Sequence, residues 1–216
     1  MLAEISRNLI NGDGEEVAAL TGRALGEGIT ARRILDEGLI GGMTVVGDRF
    51  KAHEIFLPDV LMAAKAMYAG MDVLRPRLVR DGVPSRGRVV LGTVQGDLHD
   101  IGKNLVGIML RGAGFEIIDL GNDVAPQRFV EAAREHDARI IGMSALLTTT
   151  MPAMSKVVDL VKQEGLGAKV RIIIGGAPVS EEFAQRIGAD AYGFDSAKAV
   201  DLVKNLMSEP GHESAS

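Results

Sequence analysis

The sequence contains no cysteine in its 216 residues, which excludes disulfides, thiolate metal sites and cysteine nucleophiles together. Tryptophan is absent too, and six phenylalanines and two tyrosines are all the aromatics present. No apolar run approaches the ~20 residues that a bilayer-spanning helix requires. The opening Met1-Leu2-Ala3-Glu4-Ile5 lacks the basic segment and hydrophobic block of an export signal. Together these absences lead us to expect a cytoplasmic protein with no membrane partner. A formal net charge of −5 gives no reason to expect nucleic acid as a partner. The local basic run of Arg75, Arg77, Arg80, Arg86 and Arg88 reads as a solvated helix end and linker.

What is present is the composition of an ordinary globular chain, 46% hydrophobic and 25% charged, long enough for one large domain or two small ones. Ten methionines fill the place of the missing aromatics; Met43, Met62, Met67 and Met71 read as flexible core filling. The first eighty or so residues carry a helical period. Leu2 to Ile10 forms a short helix, and Asp13 with Glu16 resembles a capping box opening a second through Val17, Leu20 and Ala24. Thr30 caps a longer helix with apolar positions Leu35, Leu39, Met43, Val46 and Phe50. Pro58 suits the first turn of a fourth helix, whose expected buried stripe is Val60, Leu61, Ala64, Met67, Tyr68, Met71 and Leu74. Four helices joined by short loops make a small bundle.

The Gly- and Pro-containing stretch 79–87 breaks this period and is the linker candidate. Beyond it, short β-rich runs at 89–94, 116–120, 140–144, 170–174 and 191–193 alternate with helical stretches at 103–112, 126–136, 152–164, 180–187 and 197–207. Continuous apolar strands between helices indicate an α/β doubly wound, parallel five-stranded sheet covered on both faces. The expected division is 1–82 helical, 83–88 linker and 89–216 α/β. In such sheets ligands bind beyond the carboxyl ends of the strands, where strand order reverses.

The chemistry-bearing residues follow strands. After the first comes Gly96-Asp97-Leu98-His99-Asp100-Ile101-Gly102, in which Asp97 is placed to orient the His99 imidazole as carboxylates orient metal-ligating histidines. After the third come Ser144, Leu146 and the hydroxyl run Thr148-Thr149-Thr150; after the fourth comes Gly175-Gly176, where missing side chains permit close approach to the backbone. Each element alone has a plain structural reading as a cap or a tight turn. Their joint placement after what we take to be alternate strands of one sheet directs them to one crevice. One histidine without cysteine cannot build a zinc site, so a metal there implies a cofactor that supplies the other ligands.

Asp97-x-His99-x-x-Gly102, then Ser144-x-Leu146 and Gly175-Gly176, resembles the signature of the cobalamin-binding domain of methionine synthase and related methyltransferases. The helical half, especially Gly42-Met43-Thr44-Val45-Val46-Gly47-Asp48-Arg49-Phe50 and Phe56-Leu57-Pro58, is similar to that family's cap, and the resemblance covers nearly the whole chain. The stand-alone length, with no catalytic or activation domain attached, is most similar to small corrinoid proteins of methylamine, methanol and methoxyl-compound methyltransferase systems. The resemblance implies a Rossmann- or flavodoxin-like cobalamin domain under a helical cap. It implies His99 as the lower cobalt ligand, Asp97 as its hydrogen-bond partner and Thr150 in place of a relay serine. Gly96, Asp100, Ile101 and Thr148 are expected among the cofactor-binding residues, with Gly102, Ser144, Leu146, Gly175 and Gly176 lining the slot for the displaced nucleotide tail. Phe50 and Leu57 would shelter the upper face, although periodicity alone assigns them to the bundle core.

The implied activity is methyl carriage by a protein not catalytic alone. Cobalamin as Co(I) takes a methyl group through a substrate-specific methyltransferase, and methylcobalamin delivers it through a second methyltransferase to tetrahydrofolate or a thiol, with a reductive activator as a further partner. The alternatives are a cobalamin-binding sensor or regulatory module, disfavoured by the lack of a DNA-binding segment before the cap, a carbon-skeleton mutase subunit, and a flavodoxin-like domain without cobalamin.

Overall fold

The computed structural model describes residues 1–208. The chain divides into two compact units: Met1–Arg86 with Ile108–Gly114, and Gly87–Gly107 with the described residues from Phe115 onward.

The first unit is helical: α1 (Leu2–Ile10), α2 (Gly14–Gly26), α3 (Ala31–Arg33), π1 (Ile34–Ile40), α4 (Gly41–Lys51) and α5 (Leu57–Arg80). Its starts are set by local chemistry. Asp13 accepts from the Glu16 N–H at 3.0 Å, Thr30 from the Arg33 N–H at 3.3 Å, and Asp59 from the Phe56 N–H at 2.8 Å, each satisfying an end donor that helical bonding leaves over. Residues 31–51 run as one continuous helical path, as the periodicity suggests, but its middle is a π-helix. The wider turn places Gly38, Leu39 and Ile40 consecutively on the buried side and leaves Leu35 half-buried, so the even 3-4 spacing is broken.

Helix α5 departs from expectation in two ways. It continues through Pro76 to Arg80, so Val79 and Arg80 belong to the helix and not to the linker stretch. Its buried side is Val60, Ala63, Ala64, Ala66, Met67, Gly70, Leu74 and Leu78, while Leu61 and Tyr68 are exposed and Met71 is half-buried. Small residues line this side because the helix lies close against its neighbours; a Cβ on Gly70 would fall 2.8 Å from Leu39 and 2.9 Å from Val17. Of the four methionines, Met43 and Met67 are core filling and Met62 is exposed.

The second unit contains β1 (Arg88–Thr93), α6 (Ile101–Gly112), whose last turn is part of the first unit, β2 (Glu116–Asp119), α7 (Pro126–Glu135), β3 (Ile140–Ser144), α8 (Pro152–Gln163), β4 (Arg171–Gly175), α9 (Glu181–Ile187), β5 (Ala191–Gly193) and α10 (Ser196–Ser208). All pairings are parallel, in the order β2-β1-β3-β4-β5. Strands β1, β3 and β4 are buried nearly throughout, as strands covered on both faces must be, whereas the edge strand β2 is only half-buried. The order reverses between β1 and β3. Strands one, three and four are therefore immediate neighbours and not alternate, which tightens the expected crevice. Their register is level at the carboxyl end: Thr93 pairs with Ser144, Ser144 with Gly175, and Gly175 with Gly193. No helix among the described residues is long and apolar enough to cross a membrane.

Candidate functional site

The loop after β1 carries the central pair. Asp97 is fully buried, an arrangement that costs free energy unless the carboxylate is satisfied. Its Oδ1 accepts from the His99 N–H at 3.0 Å and faces His99 Nδ1 at 2.8 Å. Its Oδ2 accepts from the Leu146 N–H at 2.7 Å and the Leu147 N–H at 3.2 Å. The Thr150 hydroxyl lies 2.8 Å from both Asp97 Oδ2 and the Leu147 carbonyl. Its single proton favours the charged acceptor, because charge-assisted hydrogen bonds are the stronger.

Burial acts to raise the Asp97 pKa. The donors from Leu146, His99 and Thr150 outweigh it and hold the carboxyl far below its ordinary range. Asp97 is thus an ionised, acceptor-only group, and this settles the histidine. Nδ1 must be the donor, so a neutral His99 keeps its lone pair on Nε2. The imidazole is about half exposed. Among the described residues no three His, Cys, Asp or Glu side chains gather as a metal site. A metal at His99 would therefore take one protein nitrogen, with its remaining ligands supplied by a prosthetic group.

The surroundings suit a large, partly apolar ligand. Leu98 is 68% and Ile101 75% exposed after β1, and Leu146, Leu147 and Phe194 are exposed after β3 and β5. These large apolar side chains stand exposed on segments that follow strand ends, a surface feature of the kind found at ligand-binding sites. A Cβ on Gly102 would meet nothing within 4 Å, so open space adjoins the first turn of α6.

The other sequence-derived positions fall as follows. Ser144 is half-buried at the end of β3, and Thr148 is exposed in the next loop. The Asp100 carbonyl accepts from Asn104 at 2.8 Å as α6 begins. Gly96, at φ +85°, requires glycine or strain, and its Cβ direction faces Thr150 at 3.5 Å. At Gly175 and Gly176 what comes close is the protein itself: added Cβ atoms would lie 2.8 Å from the Gly193 carbonyl oxygen and 1.8 Å from that of Ala145. Phe50 and Leu57 belong to the first unit, half-buried at the end of α4 and the start of α5, rather than in the bundle core.

Sequence reasoning passed over Leu98, Leu147 and Phe194, signalled only by large apolar residues where strand-end loops are usually polar. It also passed over Gly121–Val124. There Thr93 N–H donates to Gly121, Val124 N–H to Thr93, and Val94 bridges Val124, so this loop extends the sheet beside the His99 loop.

Two family models, each described as a B12 binding domain, match the chain over residues 1–75 and 87–202. Dimethylamine corrinoid protein 1 of Methanosarcina acetivorans is 43% identical over 208 residues, 96% of this chain and 97% of that protein. Among solved structures, a cobalamin-binding protein from Desulfitobacterium hafniense is 34% identical with a TM-score of 0.78, covering 95% of this chain and 98% of its own. A chain of the methanol:cobalamin methyltransferase complex from Methanosarcina barkeri is 30% identical with a TM-score of 0.86, covering 96% of this chain and 79% of that one.

Proposed function

This chain belongs to the family of corrinoid proteins built from B12 binding domains, with cobalamin as its cofactor, and on that footing we propose that it is the methyl-carrying member of a cobalamin-dependent methyltransferase system. The observation that carries the reading is the 2.8 Å contact between buried Asp97 Oδ1 and His99 Nδ1, which with Nδ1 donating leaves Nε2 as the ring nitrogen that would hold a metal. When bound, the corrinoid supplies the methyl-transfer chemistry, as cofactors generally do; the protein supplies orientation and electrostatics. His99 provides the ligand nitrogen. Asp97 sets its tautomer and fixes the ring orientation. Leu146, Leu147 and Thr150 keep Asp97 ionised. Exposed Leu98, Ile101 and Leu146 would offer the bound group apolar surface. Gly102, Ser144, Leu146, Gly175 and Gly176 would be the chain's contribution to the nucleotide-tail slot.

The partners in this reading are a substrate-specific methyltransferase, a second methyltransferase passing the methyl group to tetrahydrofolate or a thiol, and a reductive activator. Similarity over 96% of this chain to a dimethylamine corrinoid protein and to a chain of a methanol:cobalamin methyltransferase complex supports a carrier role. The test is reconstitution with hydroxocobalamin, reduction, and exposure to candidate methyltransferases with methylamines, betaine, methanol or methoxyaromatics. Methylation detected spectrally with one donor–enzyme pair is the expected result. Binding of adenosylcobalamin in preference, with light-dependent oligomerisation and no methylation, would replace the carrier with a sensor.

A further inference from the structure

Asp123 stands in the β2–α7 loop, at a left-handed φ of +52° that is uncommon outside glycine and, for an aspartate, goes with local hydrogen bonding. That bonding is visible. Its Oδ1 accepts from the Gly96 N–H at 2.7 Å, and its own N–H donates to the Asp97 carbonyl at 3.0 Å. One residue thereby clasps the backbone of Gly96 and Asp97 at two points. Neighbouring contacts reinforce the clasp: Asn122 Nδ2 reaches the Leu98 carbonyl at 3.4 Å, and the Thr93 hydroxyl donates to the His99 carbonyl at 3.0 Å. At its other end the loop is anchored by Asp119, which accepts from the Gly121 N–H at 2.9 Å and from the buried Lys103 ammonium at 2.5 Å.

We propose that Asp123 is a positioning residue for the cobalt ligand, acting by fixing the peptide from which Asp97 and His99 project. The inference rests on the reading of His99 as that ligand. The geometry explains why a clasp is needed. The Asp97 carboxylate is held by several donors from the β3–α8 side, but its backbone follows Gly96, a residue without a Cβ at φ +85° and so with wide conformational freedom. A charge-assisted hydrogen bond to the Gly96 N–H removes that freedom. Asp123 is itself exposed, so its loss moves the loop rather than the core.

Two substitutions separate side chain from backbone. Asp123→Gly accepts the left-handed conformation without strain but removes the oxygen; Asp123→Asn keeps both and drops the charge. In the cofactor-free full chain, amide hydrogen exchange at Gly96 is read. In the protein grown with 15N-histidine and reconstituted as Co(II) with unlabelled cobalamin, the ratio of histidine-bound to histidine-free cobalt is read from the 15N doublet against the 14N triplet in the electron paramagnetic resonance spectrum. Asp123→Gly is expected to speed Gly96 exchange and to lower that ratio about tenfold, the effect typical of an outer partner of a metal ligand. Asp123→Asn is expected to restore both to within about twofold of the unsubstituted protein. An Asp123→Gly variant with unchanged exchange and ratio overturns the inference, and so does failure of Asp123→Asn to rescue. Absence of histidine splitting in the unsubstituted protein overturns the ligand reading and this inference with it, a result distinguishable by arising without any substitution.

Discussion

At Asp97, desolvation and hydrogen bonding act in opposite directions, and hydrogen bonding wins because His99, Leu146, Leu147 and Thr150 all turn donors onto one carboxylate. Removing one donor exposes the balance. Thr150→Val should destabilise the protein by about 1–2 kcal/mol in urea titration, the cost of leaving a buried acceptor short of a partner, and Thr150→Ser should restore most of it. Gly176 makes a different point. A Cβ there would sit 1.8 Å from the Ala145 carbonyl oxygen at φ +127°. Gly176→Ala should therefore cost about 3 kcal/mol or more, measured in the same titration. The pair Gly175-Gly176 stood out in the sequence as a place of close approach, and it is one. That the approaching atoms belong to neighbouring strand ends was not legible, because a missing side chain says how near something comes and not what it is. Asp123 was invisible for a related reason: an Asn-Asp turn looks alike whether or not it clasps another loop.

Among the elements, the α/β half was the more readable. Runs such as 140–144 and 170–174 admit few alternatives to a covered parallel strand, and the structure shifts their ends by no more than a residue. Helix boundaries with a chemical cap, at Asp13 and Thr30, were equally plain. The packing side of α5 was not. Leu61 and Tyr68 look like core by hydrophobicity, yet the helix turns its alanines and Gly70 inward because α2 and π1 come too close for larger side chains. This leads to a paired prediction. Gly70→Ala gains up to about 1 kcal/mol of helix propensity but forces a methyl onto fully buried Leu39 and Val17, which costs about 1–3 kcal/mol. The net effect should be destabilisation. Gly22→Ala in α2, where a Cβ meets nothing within 4 Å, should stabilise by about 0.5–1 kcal/mol. Equal effects at the two positions, by chemical denaturation, would contradict the packing argument.

Over the whole molecule, the change of hydrophobic period near residue 80 marks two architectures, and the structure forms two compact units, with the last turn of α6 joined to the helical one. Sequence periodicity could not anticipate that exchange, since the apolar positions of α6 do not say which unit they serve. Unfolding of such a chain need not be a single transition. Hydroxocobalamin should raise the transition that includes His99, by about 4 kcal/mol at ~1,000 times its Kd, and His99→Ala should lose much of that gain in calorimetry.

The central claim is that His99 places a nitrogen on cobalt. The most direct test is the Co(II) electron paramagnetic resonance spectrum of the chain grown with 15N-histidine and reconstituted with unlabelled cobalamin. The nitrogen splitting should change from the triplet of 14N to the doublet of 15N, and should vanish in His99→Ala, which singles out one of the four histidines. A triplet that persists in the labelled protein would mean that the cofactor's own base remains the ligand, and would contradict the account.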